Sequence, residues 1–414
     1  MRAFFCPFWY YIICVVMQKM LNFARRIQIS YNQAMNQKFT FHMLWAAMLE
    51  LALTFASCSG EKDAQTLFSE DASGVVVIVN RFYYELRLGN GETLYFTGLD
   101  DDGDISGLTA DLDEAKRNKA ESYGTGFFVD DKGLILTNRH VVQPVIDKQQ
   151  VQRAWSSIIE AYKQLCESYA QQLSDQFDQL ESQKSDCYVY DEFTGSYVTD
   201  DVRLSQIQSQ QEQLRQEYQQ AGSAYHDLSD VSVNSVTVNS VCELGIAYND
   251  TYASSAADFL NNNPCSVVRL SGNDDVDLAL IQLKSRSTPS GAHIFATAAH
   301  RHDQGLLSSL FGGGGDAKLT ISQPLYMIGY NAGPILANTK QGIKVQMTTG
   351  KVTQLPDGDR LLYDIPTLQG SSGSPVIDSY GNLVAVNYAK LIGSDNFNFG
   401  IPVNKIESFL YDKQ

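Results

Sequence analysis

LQGSSGSPVI, from Leu368 to Ile377, packs three serines into four positions and sets a glycine on each side of the Ser371–Ser372 pair. Serine and glycine at this density ordinarily mark a flexible linker. This stretch instead runs straight into VIDSYGNLVAV, an apolar segment with its own turn signal. Linkers do not usually open directly into core strands, so the glycines are read here as serving the geometry of a turn.

The text on both sides is rich in β signals. KLTISQPLYMIGY, GIKVQMTTGKVTQL, RLLYDI and FNFGIPV are short apolar runs. Their spacing of about 8–15 residues suggests barrels. Upstream, GVVVIVNRFYYELRL, the turn GNG and ETLYFTGL read as a hairpin. YGTGFFVDDKGLILTNRHVV, Tyr123 to Val142, reads as two strands around an Asp-Lys-Gly turn, and KIESFLYDKQ as a closing helix. The acidic LDDDGDISG misses the spacing of a calcium loop and reads as a solvated turn.

Between these β regions the character changes. Asp147 to Leu228 holds 17 glutamines and apolar residues at 3-4 spacing. One seam runs through Val151, Trp155, Ile158, Tyr162, Leu165, Tyr169, Leu173, Phe177 and Leu180. The other runs through Leu204, Ile207, Leu214, Tyr218, Ala221, Tyr225 and Leu228, with Gln211 as its polar member. Two such helices separated by CYVYDEFTGSYVTD predict an antiparallel coiled-coil hairpin.

Bulk composition narrows the function classes. The chain has 414 residues, net charge −16 and a pI near 4.8. An acidic chain gains nothing from counterion release, so nucleic acid is excluded as an expected partner. The first 60 residues read as targeting: AFFCPFWYYIICVVM is too short to span a membrane comfortably, and a second start at Met35 leads to an apolar stretch ending FASC. Residues 1–34 are either an over-called start or an extra anchor. Ala56, Ser57 and Cys58 resemble the lipobox of bacterial lipoproteins, which implies lipidation at Cys58, a lipid anchor, and a periplasmic or outer-membrane location. Cys166, Cys187, Cys242 and Cys265 form an even set; they either pair, most simply in sequence order, or stay as small buried hydrophobes. None has the spacing of a zinc site, and no cofactor or metal is expected.

Nucleophilic serine catalysis needs a base beside the hydroxyl, an acid to orient that base, and backbone donors for the oxyanion. Of six histidines, His140 alone directly follows a strongly apolar strand, in LILTNRHVV. His300 and His302 sit in a polar stretch without a third ligand and read as surface residues. G-S-S-G-S-P resembles the G-x-S-G-G-P nucleophile loop of trypsin-like serine proteases, with Ser374 in place of the second glycine. TNRHVV resembles their histidine loop, and DVDLALIQL the strand that carries the aspartate. Tyr123 to Val142 is similar to the GSGFII...G.ILTN.HVV stretch of the HtrA branch, and MIGYNAGP and FNFGIPVN to its AIGNPFG and GFAIPSN segments. A rival G-x-S-x-G signature fails because position 374 is serine, and the order His…Asp…Ser is that of chymotrypsin-like enzymes.

The resemblance implies an all-β fold of two six-stranded antiparallel barrels. The expected layout is a targeting segment at 1–60, a first barrel at 71–305 interrupted by the insert at 147–228, and a second barrel with terminal helix at 306–414, without a PDZ domain. It implies Ser372 as nucleophile, His140 as general acid and base, Asp277 as its orienting acid, and the amides of Gly370 and Ser372 as oxyanion hole. It also implies a substrate pocket of Pro366, Thr367, Asn387, Tyr388 and Ala389, all uncharged, suited to small or medium apolar side chains. The 137 residues between His140 and Asp277 exceed the family's usual separation because the coiled coil intervenes. Ser371 stands where the trypsin zymogen mechanism needs aspartate, so activation by a freed N-terminus is not implied. The expected function is an exported serine endopeptidase acting on proteins or peptides. The alternative is a protease-fold scaffold whose coiled coil holds a protein partner or self-associates.

Overall fold

The computed structural model describes Lys19 and residues 61–253, 255–273, 275–295, 319–390 and 398–411. Cys58 and the targeting segment, His42, His300 and His302 lie outside the described residues. All described residues except Lys19 belong to one compact unit, Glu61–Leu310 with Gly314–Gln414.

The fold begins with helix α1 (Ala64–Asp71), capped by the Asp63 side chain on the Thr66 amide. Strand β1 (Val75–Arg87) follows and organises everything after it. It pairs on one edge with β5 (Ala120–Phe128) and on the other with β9 (Thr237–Tyr248), antiparallel in both cases. β6 (Leu134–Thr137), β11 (Ala279–Leu283) and β10 (Pro264–Leu270) complete the ring β1-β5-β6-β11-β10-β9, closed by the β1–β9 pairing. β2 (Thr93–Phe96) extends the sheet beside the far end of β1, forming the expected hairpin, and β3 (Gly98–Leu99) pairs with β4 (Ile105–Ser106). The second barrel is β12 (Pro324–Gly329), β15 (Gln346–Gln354), β16 (Leu361–Tyr363), β19 (Asn398–Pro402), β18 (Leu383–Lys390) and β17 (Pro375–Ile377), with a short β13 (Asn338–Thr339) and β14 (Gly342–Ile343) pair in one loop. Two closed six-stranded antiparallel barrels thus match the expected class.

β1 shows why its sequence is an unbroken apolar run. Val76 and Ile78 point into the first barrel with Phe128, Ile135 and Ile281. Val75, Val77 and Val79 point the other way, into a core shared with Ile328, Tyr330 and Ile377 of the second barrel. Period-two alternation is masked because both faces are buried. The barrels are therefore packed through β1, which sets the cleft between them.

The insert leaves the first barrel after β6 and returns at β9. Helices α2 (Leu112–Arg117) and α3 (Arg139–Val142) precede it; α4 (Lys148–Gln183) and α5 (Asp201–Asp230) are its two arms, about 54 and 45 Å long at 1.5 Å per residue. At the root, Val151, Trp155 and Ile159 pack on Tyr84, Leu86 and Phe96, so the overhanging end of β1 is the socket of the arm. The far end carries a small hairpin, β7 (Tyr188–Asp191) with β8 (Ser196–Thr199). Both seams differ in part from expectation. Tyr218 on α5 is exposed, as are Tyr162, Leu165 and Tyr169 on α4, where the buried line passes through the half-buried Cys166 and Ala170 before reaching Leu173. A straight helix drifts against a strict seven-residue repeat, and the residue one position over takes the seam. Gln211 is buried as expected and donates to Glu181 Oε2 at 2.9 Å. Cys166, Cys187, Cys242 and Cys265 are all free thiols, so the sequential pairing is not formed. Helices α6 (Ala256–Asn262), α7 (Pro334–Ala337) and α8 (Val403–Tyr411) complete the fold.

Candidate active site

His140 lies in the single turn of α3, directly after β6, and Asp277 lies just before β11, the strand paired to β6. That pairing joins two residues 137 positions apart. The Asp277 carboxylate is gripped twice by His140: Oδ1 accepts the His140 backbone N–H at 3.0 Å, and Oδ2 meets the imidazole Nδ1. The Asp277 carbonyl accepts from Asn138 Nδ2 at 2.9 Å and from the Arg139 amide at 3.2 Å. Asn80 of β1 donates to the Val141 carbonyl at 3.0 Å and fixes the turn from behind. The His140 side chain is 39% exposed and that of Asp277 only 15%. The imidazole is therefore the more solvent-open of the two, while its carboxylate partner is shielded.

Ser372 stands on the loop between β16 and β17 of the other barrel. Its carbonyl accepts the Thr125 amide of β5 at 2.8 Å, and the Thr125 carbonyl accepts Thr137 Oγ1 at 2.7 Å. Thr137 is three residues before His140, so these bonds bring Ser372 to the cleft end where His140 emerges. No hydrogen bond links Ser372 Oγ to His140 among the described contacts.

The glycines of the quoted stretch have geometric causes. Gly373 has φ +87°, and a Cβ there would fall 2.1 Å from the Thr125 carbonyl oxygen. Gly370 has φ +98°, and a Cβ there would fall 2.6 Å from both Gly333 N and Tyr330 O. Only a residue without a side chain allows the loop to lie this close to Thr125 of the first barrel at Gly373 and to the Tyr330–Gly333 turn of its own barrel at Gly370. Within the turn, Ser371 N donates to the Leu368 carbonyl, Gly373 N to the Asn387 carbonyl and Ser374 N to the Ser371 carbonyl. The amides of Gly370 and Ser372 donate to no acceptor among the described residues. Ser374, the departure from the second glycine, is buried with its hydroxyl where Gly329 of β12 has no side chain; a Cβ on Gly329 would fall 2.0 Å from Ser374 Oγ.

Ser371 is 2% exposed and held by neutral hydrogen bonds. Its hydroxyl donates to the Leu368 carbonyl at 2.7 Å and accepts from Asn387 Nδ2 at 3.2 Å. Asn387 Oδ1 in turn accepts the Tyr363 hydroxyl at 2.8 Å, and burial holds that phenol neutral by raising its pKa.

A cavity of about 230 Å³ opens beside Ser372, lined by Thr367, Leu368, Gln369, Ser371, Ser372, Asn387 and Tyr388. Three expected pocket residues line it. Pro366 does not: it is exposed, and the wall begins at Thr367. The Ala389 side chain lies outside the described residues. Leu368 and Gln369 were missed as lining residues although both stand in the decisive stretch. Tyr363 and Asn398, which anchor the walls by Tyr363 OH to Asn387 and Thr367 Oγ1 to Asn398 Oδ1, carry no local signal, since isolated polar residues in strands read as surface. No group of three or more His, Cys, Asp or Glu able to hold a metal occurs among the described residues.

The sequence profile of the trypsin-like peptidase domain matches residues 231–386, from the end of the arm through Asp277 and Ser372. No curated protein matches the chain. The profile leaves out His140, which the insert separates from the matched span. Over this span the chain is similar to trypsin-like peptidases, and its two barrels with the cleft between them carry the trypsin-like fold.

Proposed function

We propose that the protein is a serine endopeptidase, with Ser372 as nucleophile, His140 as general base and then general acid, and Asp277 holding the imidazole in tautomer and orientation. The observation that carries this is the double grip of Asp277 on His140 opposite a loop whose Gly370 and Ser372 amides are unengaged. In this mechanism His140 Nε2 takes the Ser372 proton as Oγ attacks the scissile carbonyl. The oxygen, now an anion, is received by the two amides. His140 then hands its proton to the leaving amine, and water repeats the sequence on the acyl-enzyme. Labelling of the purified protein by a fluorophosphonate, with Ser372→Ala as control, tests the assignment: wild type labels and the variant does not. An unlabelled wild type would overturn it.

The preferred side chain before the scissile bond is small or medium and apolar, such as Val, Ala or Leu. Every lining residue of the cavity is uncharged, so a lysine or arginine there would be left without a counterion, at a cost of several kcal/mol in order of magnitude. Cleavage of an unbiased peptide library reads this out, and dominant cleavage after Arg or Lys contradicts it.

Export and lipid anchoring at Cys58 belong to the same proposal and rest on the apolar segments and FASC in the sequence. Membrane fractionation of wild type and Cys58→Ser checks them. The arm is proposed to recognise protein substrates. It supports that role with an exposed tip, including Tyr190, Tyr197 and a Phe193 that is 98% exposed.

A further inference from the structure

Thr125 is a fully buried polar residue of β5, between Gly124 and Gly126, and it makes four hydrogen bonds to three different elements. Its amide donates to the Ser372 carbonyl at 2.8 Å, and its own carbonyl accepts Thr137 Oγ1 at 2.7 Å. Its hydroxyl accepts the Tyr330 amide at 3.0 Å and donates to the Gly370 carbonyl at 2.8 Å. We propose that Thr125 is a positioning residue of the first barrel that aims the oxyanion amides of the second, an inference that rests on Ser372 being the nucleophile.

The argument turns on three successive carbonyls. Ser371 O is held from the second barrel, by Asn387 Nδ2 at 3.0 Å and the Ser374 amide at 3.1 Å. Gly370 O and Ser372 O, on either side, are both held by Thr125. With the three carbonyls turned into protein, the loop keeps the Gly370 and Ser372 amides out of internal bonds. A hydroxyl has one proton and two lone pairs. Because the Tyr330 amide occupies the acceptor side, the proton is directed at Gly370 O, and the bond has a set direction. Valine matches the shape of threonine but loses both bonds, orphaning a buried amide and freeing the Gly370 carbonyl. Serine keeps both.

The experiment measures kcat and KM on a peptide substrate for wild type, Thr125→Val and Thr125→Ser, with active sites counted by end-point fluorophosphonate labelling. Removing one oxyanion donor outright costs about 10²–10³ in kcat, so misaiming the donors is expected to cost roughly 30-fold per labelled site in Thr125→Val, with KM within about threefold. Thr125→Ser should recover to within about fivefold of wild type. Amide hydrogen exchange across 368–374 should quicken in Thr125→Val and return in Thr125→Ser. If Thr125→Val does not fold, Thr125→Ala removes the hydroxyl without filling space and takes its place. A purely structural role would lower the number of labelled sites and leave each site at the wild-type rate, which overturns the proposal. So does a serine variant as slow as the valine one. A wild type that neither labels nor turns over would instead overturn the hydrolase assignment, and this inference with it.

Discussion

At the cleft, Thr125, Ser371, Asn387 and Asn398 are all buried and each is hydrogen-bonded across an element boundary. On the arm the pattern inverts. Gln211 is its one buried polar side chain among the described residues, while Tyr162, Leu165, Tyr169 and Tyr218 lie exposed along it. A buried polar group costs free energy unless partnered, so the cleft network tolerates one arrangement and the loop geometry is over-determined. The arm is held by its socket at the end of β1 and by one seam, and most of its surface answers to no internal partner. A rigid polar network and a projecting surface are what this difference describes.

The sharpest way to break that contrast is at the candidate triad. Ser372→Ala and His140→Ala are each expected to lower peptide turnover by on the order of 10⁴-fold or more while the fold is retained. Circular dichroism beside turnover checks both, and near-wild-type cleavage by either variant would remove the centre from the cleft.

Next in size is Gly373→Ala. It forces a side chain to φ +87° and into the Thr125 carbonyl, at a cost of roughly 2–4 kcal/mol. Thermal unfolding should shift down together with loss of turnover. A stable, active variant would mean that the loop is less constrained than its contacts require.

Alkaline titration separates the regions by burial. Tyr84, Tyr123 and Tyr248 are pushed up to about 12 by desolvation, and Tyr330 and Tyr363 are raised further. Raised folded values mean that the unfolded chain releases phenol protons first. Stability from these groups is therefore complete below about pH 10 and falls as pH rises through the folded values. Denaturant midpoints measured from pH 8 to 11.5 should drop above pH 10, and a flat profile would contradict the burial.

Smaller still is Tyr363→Phe, which leaves Asn387 Oδ1 without its donor and should cost about 1–3 kcal/mol, read as a lower denaturant midpoint. The smallest effect is expected from the arm. Replacing 148–230 by a short Gly-Ser turn should leave small-peptide turnover within about threefold, because no arm residue lines the cavity beside Ser372. Loss of turnover in a folded variant would join the arm to the chemistry and erase the contrast.

Much of this was legible along the chain because the information is local. The Asp-Lys-Gly turn between β5 and β6, the 3-4 spacing of the arm and the glycines around Ser372 each report a backbone geometry that neighbouring residues dictate. The candidates His140, Asp277 and Ser372 were found the same way, each beside a strand end. The seam of α4 was misjudged at Leu165 and Tyr169 because a strict heptad count ignores the drift of a straight helix against it.

What the sequence alone determined is the class of structure: two barrels, one helical interruption, and a turn that tolerates only glycine at its tight points. Tertiary structure alone decided who faces whom. Ser371, Asn387 and Tyr363 are spread over 25 positions, and Thr125 lies some 245 residues from the Gly370 that it holds. Nothing in the local text distinguishes a buried threonine with four partners from an ordinary strand threonine. Hydrogen-bond partners across the cleft are fixed only when β1 packs the barrels together, since burial then makes every unpaired polar group costly and leaves one set of pairings.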